Sequence, residues 1–204
     1  GLRRWADALA RDAAAAATVA SRQGAELSTA EFRRSFEALP GTPLRLAQAA
    51  GLTSDRASAW ELPGLAASIG KHPCRCHVQD DALALTAGRT RLSVLQLPFS
   101  EYISYMRSQH DAEPLYLFQE FDDVLRSSVD PSFRPPPIFA EDFLAQVREP
   151  PGGFAGLKGW LLVGPAGSGS RWHFDPWGTA AWNLLFQGRK LWAFAPPSEA
   201  AAPP

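Results

Sequence analysis

The spacing of hydrophobic positions changes along the chain, and each change marks an element. Leu2, Trp5 and Leu9 recur at helical intervals in an alanine-rich opening, which predicts a helix to about Ser21. Ser28-Thr29-Ala30-Glu31 has the form of a capping box and Phe32 and Phe36 lie one turn apart, so a second helix starts here and ends at Pro40-Gly41-Thr42-Pro43. After a polar turn at Thr53 to Asp55, Trp60, Leu62, Leu65 and Ile69 predict a third helix, closed by Gly70 as its C-terminal cap. From Cys74 the period falls to two. Cys74, Cys76 and Val78 alternate with Arg75 and His77, and Leu92, Val94 and Gln96 alternate with Ser93, Leu95 and Leu97, both strand patterns. Pro98 to Tyr102 opens a helix to about Ser108 with Phe99, Tyr102, Ile103 and Met106 on one face, and Leu115 to Phe118 is a brief strand. Pro131 to Pro137 is a connection that cannot be a central strand, and Ala140 to Val147 reads as a short helix broken by Pro150 to Gly153.

The last third differs in character. Five of the seven tryptophans, Trp160, Trp172, Trp177, Trp182 and Trp192, lie in alternating runs separated by glycines, which is sheet composition. Ala181 to Phe186 and Lys190 to Phe194 predict a hairpin turning at Gln187-Gly188-Arg189, with Gly188 supplying a positive backbone angle.

Composition narrows the class. A chain of 204 residues with 46% hydrophobic and 20% charged side chains is ordinary for one globular domain with a helical prelude. The net charge of -1 gives no footing for binding a polyanion or a membrane surface. No apolar run approaches the roughly 18 residues of a spanning helix. The two cysteines, Cys74 and Cys76, are too close to close a useful loop, which excludes a disulfide scaffold and favours a reducing compartment.

Chemistry concentrates after Trp160. In a strand, His173 and Asp175 project to one face, so an imidazole and a carboxylate stand side by side around Phe174. Two histidines and a carboxylate form the facial triad that leaves positions open on iron(II). His-x-Asp is equally the mark of a surface pair or a core histidine bonded to aspartate. Lys190 shares a face with Trp192 and Phe194. Turned inward it needs an anionic partner, because an unpaired buried ammonium is costly; turned outward it borders an exposed aromatic edge. Two other patterns are set aside. Gly164 to Ser170 lacks the lysine of a phosphate loop, and His72, Cys74, Cys76 and His77 alternate to opposite strand faces, which splays them as zinc ligands.

The run VGPAGSGSRWHFDPWGTAAWNLLFQGRKLWAFAPP at 163–197, with PLYLF at 114–118, YISYM at 102–106 and LSTAEF followed by its tryptophan helix at 27–70, resembles the JmjC family of iron(II)- and 2-oxoglutarate-dependent oxygenases. The likeness is greatest to the family's nuclear subgroup of lysyl hydroxylases and arginine demethylases. It implies a double-stranded β-helix, a cupin-like jelly-roll that is mainly β with helices. Residues 1–26 would be an N-terminal helical extension and 27–204 the JmjC domain, with a prelude at 27–158 and the first half of the jelly-roll at 159–204. It further implies Fe(II) held by His173 and Asp175, with 2-oxoglutarate paired to Lys190 and hydrogen-bonded by Ser170, Asn183 and Tyr116. The implied reaction couples oxidative decarboxylation of 2-oxoglutarate by O2 to hydroxylation of a protein side chain. Lysine is the expected target, ahead of demethylation of N-methyl-arginine or N-methyl-lysine.

The family's third ligand is a later histidine, whereas His173 is the last in this chain. The expectation is therefore a fragment without the closing strands, inactive alone, of an intracellular, nuclear enzyme with a protein substrate and no membrane. Two alternatives stand beside it: a hydroxylase of a modified RNA nucleoside, and a metal-free JmjC-like or cupin-like interaction module.

Overall fold

Two sheets and a layer of short helices make up the described part of the computed structural model, which comprises residues 19–37, 42–48, 54–77, 94–142, 146, 159–170, 173–175 and 179–195. The first sheet pairs β1 (Ala20–Gln23) in parallel with β2 (Leu44–Ala47), Ala20 opposite Leu44 and Gln23 opposite Ala47. Ala20 and Ser21 are thus strand, not the end of a helix, and the rest of the opening helix lies outside the described residues. Between these strands, α1 (Thr29–Phe32) begins where the capping box predicts, with the Ser28 hydroxyl accepting from the Glu31 N–H, and runs on as a π-helical turn to Glu37. Gln48 ends β2 with a left-handed φ of 53°.

The second sheet is antiparallel throughout, in the order β4 (Leu95–Pro98), β3 (Pro73–His77), β5 (Tyr116–Glu120) and β6 (Trp160–Val163). Its register assigns the faces. Cys76 stands opposite Leu117, and Cys74, Cys76 and Leu117 all point into the core. His77 and Tyr116, one residue along, pair on the other face.

Helix α2 (Ser54–Ala59) packs Ala59 against the same core, to which α3 (Leu62–Ile69), α4 (Phe99–Ser108) and α5 (Asp123–Val129) contribute Leu65, Ile69, Phe99, Tyr102, Ile103, Leu125 and Val129. Each such side chain, fully buried, is worth roughly 1.5–3 kcal/mol. Gly70 follows α3 as expected but with φ −54°, in the ordinary helical region, so it is not a left-handed cap. Its carbonyl instead accepts the Ser100 N–H at 2.9 Å, and the His72 carbonyl accepts that of Phe99 at 3.0 Å. These two bonds satisfy two of the unmatched donors at the start of α4, which has no side-chain cap.

At α5 the Asp122 carboxylate caps the Leu125 N–H at 2.7 Å. Beyond α5, Asp130 is buried and bound to Arg56 at 3.1 Å and to the Ser132 hydroxyl at 2.6 Å. Burial pushes its carboxyl pKa up, yet these bonds prevail and hold it below the usual range. Pro131 to Pro137 is a connection, as predicted, ending in a 3-10 turn at Pro137–Phe139. Of the helix expected at Ala140 to Val147, residues 140–142 are not helical, and 143–145 and 147 lie outside the described residues.

The antiparallel sheet with its helices accords with a β-rich domain. The second sheet that would close a jelly-roll is not formed among the described residues.

Candidate functional site

The path from the core to the chemistry runs through one hydroxyl. Tyr102 is completely buried, and its Oη lies 2.9 Å from the Leu115 carbonyl and 2.8 Å from that of Val163, donating to one at a time. It also accepts the Leu117 N–H at 3.2 Å. Tyr102 therefore fastens the entry of β5 and the end of β6 to α4, at the point where β6 gives way to the loop leading to His173. Its neighbour Tyr105 stacks on it at 5.9 Å and binds Asp111 at 2.6 Å, fixing the approach to β5.

After β6 the chain turns tightly. The Ser168 N–H and hydroxyl both donate to the Pro165 carbonyl, at 3.2 and 2.8 Å. Gly164 permits this turn, because a Cβ there would lie 2.0 Å from Ser168 Oγ and 2.8 Å from the Tyr116 ring. The turn thus rests on Tyr116, a buried residue of β5 whose phenol is pushed up to about 12 by desolvation and so stays a neutral hydrogen-bonding group. Ser170 follows in the same loop and is exposed.

His173 and Asp175 come together, though by a different route from the one expected. Neither is in a strand, yet His173 Nε2 and Asp175 Oδ1 are 3.5 Å apart, with side chains 35% and 42% exposed. An imidazole nitrogen and a carboxylate oxygen, adjacent and open to solvent, are a donor pair suited to a divalent first-row metal. No group of three His, Cys, Asp or Glu side chains able to hold a metal occurs among the described residues.

The predicted hairpin strands at 181–194 are absent: residues 179–195 carry no strand pairing among the described residues. The chain bends at Gln187-Gly188, and Gly188 has the expected positive angle, φ +88°. The segment is held instead by side chains. Trp182 stacks on Phe139 at 5.3 Å and Phe186 on Trp60 at 5.0 Å, while Gln187 Oε1 accepts the Leu62 N–H at 2.8 Å. Aromatic alternation here reflects docking onto the helical layer rather than a two-stranded ladder.

Lys190, Trp192 and Phe194 do share one face. Lys190 Nζ sits 4.6 Å from the Trp192 ring centre, and Trp192 stacks on Phe194 at 5.8 Å. Lys190 is half-buried, with its pKa lowered by desolvation. The ring's π face supplies part of what the ammonium loses in water, and among the described residues no carboxylate is paired with it. Asn183 is exposed between Trp182 and Leu184. No hydrogen bond or ion pair among the described residues joins Ser170, Asn183 or Lys190 to the His173–Asp175 pair.

Cys74 and Cys76 are fully buried, with thiols pushed by burial to about 11 and about 12, while His77 faces the opposite side of β3. Thiolate ligation is disfavoured there. The contributions of Tyr102, Gly164, Trp60 and Gln187 were not visible in the pattern; each depends on a contact across the fold that no local periodicity records.

No family model matches the chain. It is similar to the bifunctional arginine demethylase and lysyl-hydroxylase psr-1 of Caenorhabditis briggsae, 29% identical over 188 residues that make up 89% of this chain and 42% of that protein. Its likeness to psr-1 of Caenorhabditis elegans is 29% over 181 residues, 85% of this chain and 40% of the relative. The lysine-specific demethylase JMJ21 of Arabidopsis thaliana is 38% identical over 108 residues, 52% of this chain and 11% of that protein. The chain thus spans less than half the length of each of these relatives.

Proposed function

The chain's homologues are JmjC demethylases, including a bifunctional arginine demethylase and lysyl-hydroxylase that aligns with most of it, and from that premise we propose that it is part of an Fe(II)- and 2-oxoglutarate-dependent oxygenase acting on a protein side chain. The observation that carries the reading is the approach of His173 Nε2 to Asp175 Oδ1. In this reading these two residues hold the metal, and a third ligand comes from outside the described residues. The metal and its cosubstrate, when bound, would activate O2, which supplies the oxidising power and the oxygen atom for hydroxylating an unactivated carbon.

The protein's own residues do the rest. The Lys190 ammonium pairs with a carboxylate of 2-oxoglutarate, and leaving the Trp192 face for a carboxylate is a gain, since a charge-assisted bond exceeds a cation–π contact. Tyr116, neutral at working pH, donates a hydrogen bond, and Ser170 and Asn183 orient the same cosubstrate. Hydroxylation of lysine is the reaction proposed for the substrate, with removal of an N-methyl group from arginine or lysine following from the same attack on a methyl carbon. Residues 27–204 form the JmjC portion in this reading, and the location is nuclear.

The test is incubation of the full-length protein with Fe(II), 2-oxoglutarate and peptides bearing lysine or methyl-arginine. The expected result is succinate formation with a peptide mass gain of one oxygen, or loss of a methyl group, abolished in His173→Ala. Turnover unchanged in that variant would overturn the reading.

A further inference from the structure

Lys190 has no strand ladder to hold it among the described residues, so its placement must come from somewhere else. The chain that precedes it is pinned at two adjacent residues. Phe186 lies flat on Trp60, with ring centres 5.0 Å apart and planes inclined by 13°. Gln187 Oε1 accepts the Leu62 N–H at 2.8 Å. Leu62 is the first residue of α3, and the preceding Glu61 makes no side-chain cap bond. One of the donors that every helix start leaves unmatched is therefore satisfied by a side chain 125 residues away. Immediately after Gln187 the chain bends at Gly188, with φ +88°, and Lys190 follows on the Trp192 face.

We propose that Gln187, by capping α3, is the positioning residue that sets where the Lys190 ammonium stands for the cosubstrate carboxylate. This rests on the role given to Lys190 above. The sequence of contacts is short: the end of a packed helix, a side-chain amide, a glycine bend, the lysine. Trp60 is 4% exposed and belongs to the core, so the anchor is rigid at its far end. Without the amide, the contacts left to the segment before the bend, among the described residues, are the ring stacks of Phe186 and Trp182. A flat ring stack restrains separation but leaves the segment free to slide, whereas the hydrogen bond fixes its position along α3.

The test compares Gln187→Leu, Gln187→Glu and Lys190→Ala in the full-length protein loaded with Mn(II). Affinity for 2-oxoglutarate is read by titration calorimetry, with thermal midpoint alongside. Gln187→Leu should weaken 2-oxoglutarate binding on the order of fivefold, the equivalent of one lost cap. In turnover it should raise KM for 2-oxoglutarate with little change in kcat. Gln187→Glu should restore affinity, because a carboxylate accepts the same N–H at a helix start that favours negative charge. Lys190→Ala should weaken binding more than Gln187→Leu. A Gln187→Leu variant with a lowered thermal midpoint but unaltered 2-oxoglutarate affinity would overturn the inference and leave the role of Lys190 standing. Unaltered affinity in Lys190→Ala would instead remove the cosubstrate role itself.

Discussion

The antiparallel sheet with its helices and the segment from His173 to Ala195 are built on opposite principles. In the first, strands are laddered, α5 is capped by Asp122, and Phe99, Tyr102, Leu65, Leu117 and Leu125 are sealed from water. In the second, no strand pairing occurs among the described residues, and Phe174, Leu185, Leu191, Trp192 and Phe194 are more than half-exposed or nearly so, from 50% to 64%. The candidate metal ligands and the lysine lie in the second region, while Tyr116 belongs to the first. Stability and chemistry are therefore separable by substitution, except where the two regions touch, at Trp60, Leu62 and Phe139.

The widest separation is expected for His173→Ala and Asp175→Ala. Both side chains are over a third exposed, so the thermal midpoint should hold, while oxidation should fall beyond the roughly 10–100-fold typical of residues that merely support metal ligands. Assay and melting curve on one sample check this, and a collapse of the midpoint would break the contrast. Trp60→Ala should join the two regions, costing about 3–5 kcal/mol in urea unfolding and releasing Phe186 together with the core. Tyr102→Phe should cost about 1–3 kcal/mol, since it strands the Leu117 N–H and lets the end of β6 loosen.

The smallest effect is a pH dependence. The Asp130 pKa is lowered in the fold, so below the ordinary carboxylate value near ~3.9 the unfolded chain takes up its proton first. Its contribution is fully present above that pH and is lost as pH falls through the folded value. Asp130→Asn should therefore flatten the acid limb of stability measured by urea melts between about pH 6 and 3, with His173–Asp175 chemistry at neutral pH untouched.

Local signals carried much of the sheet and helix layer. The Ser28 capping box, the Cys74–Cys76 alternation and the apolar face of α4 each act within one element, so spacing records them faithfully. Four elements escaped: β1 lies where a helix was expected, and α2 begins within what reads as a polar turn. β2 is a run of four residues with no turn chemistry of its own after Pro43, and α5 was marked by Asp122, whose capping role went unread. In the second region the alternation was real but its cause was not: Trp182 and Phe186 meet Phe139 and Trp60 instead of a partner strand. The pairing of His173 with Asp175 was legible as proximity, whereas the anchors that surround Lys190 are long-range contacts beyond any periodicity.

Cys74 and Cys76 lend the molecule a stopwatch of its own. Both sulfurs are shut inside at 0% exposure and kept protonated by that enclosure, so a thiol reagent can reach them only when the sheet and its helices part. Labelling speed would then clock global opening of the first region, blind to whatever the tryptophan-rich segment does.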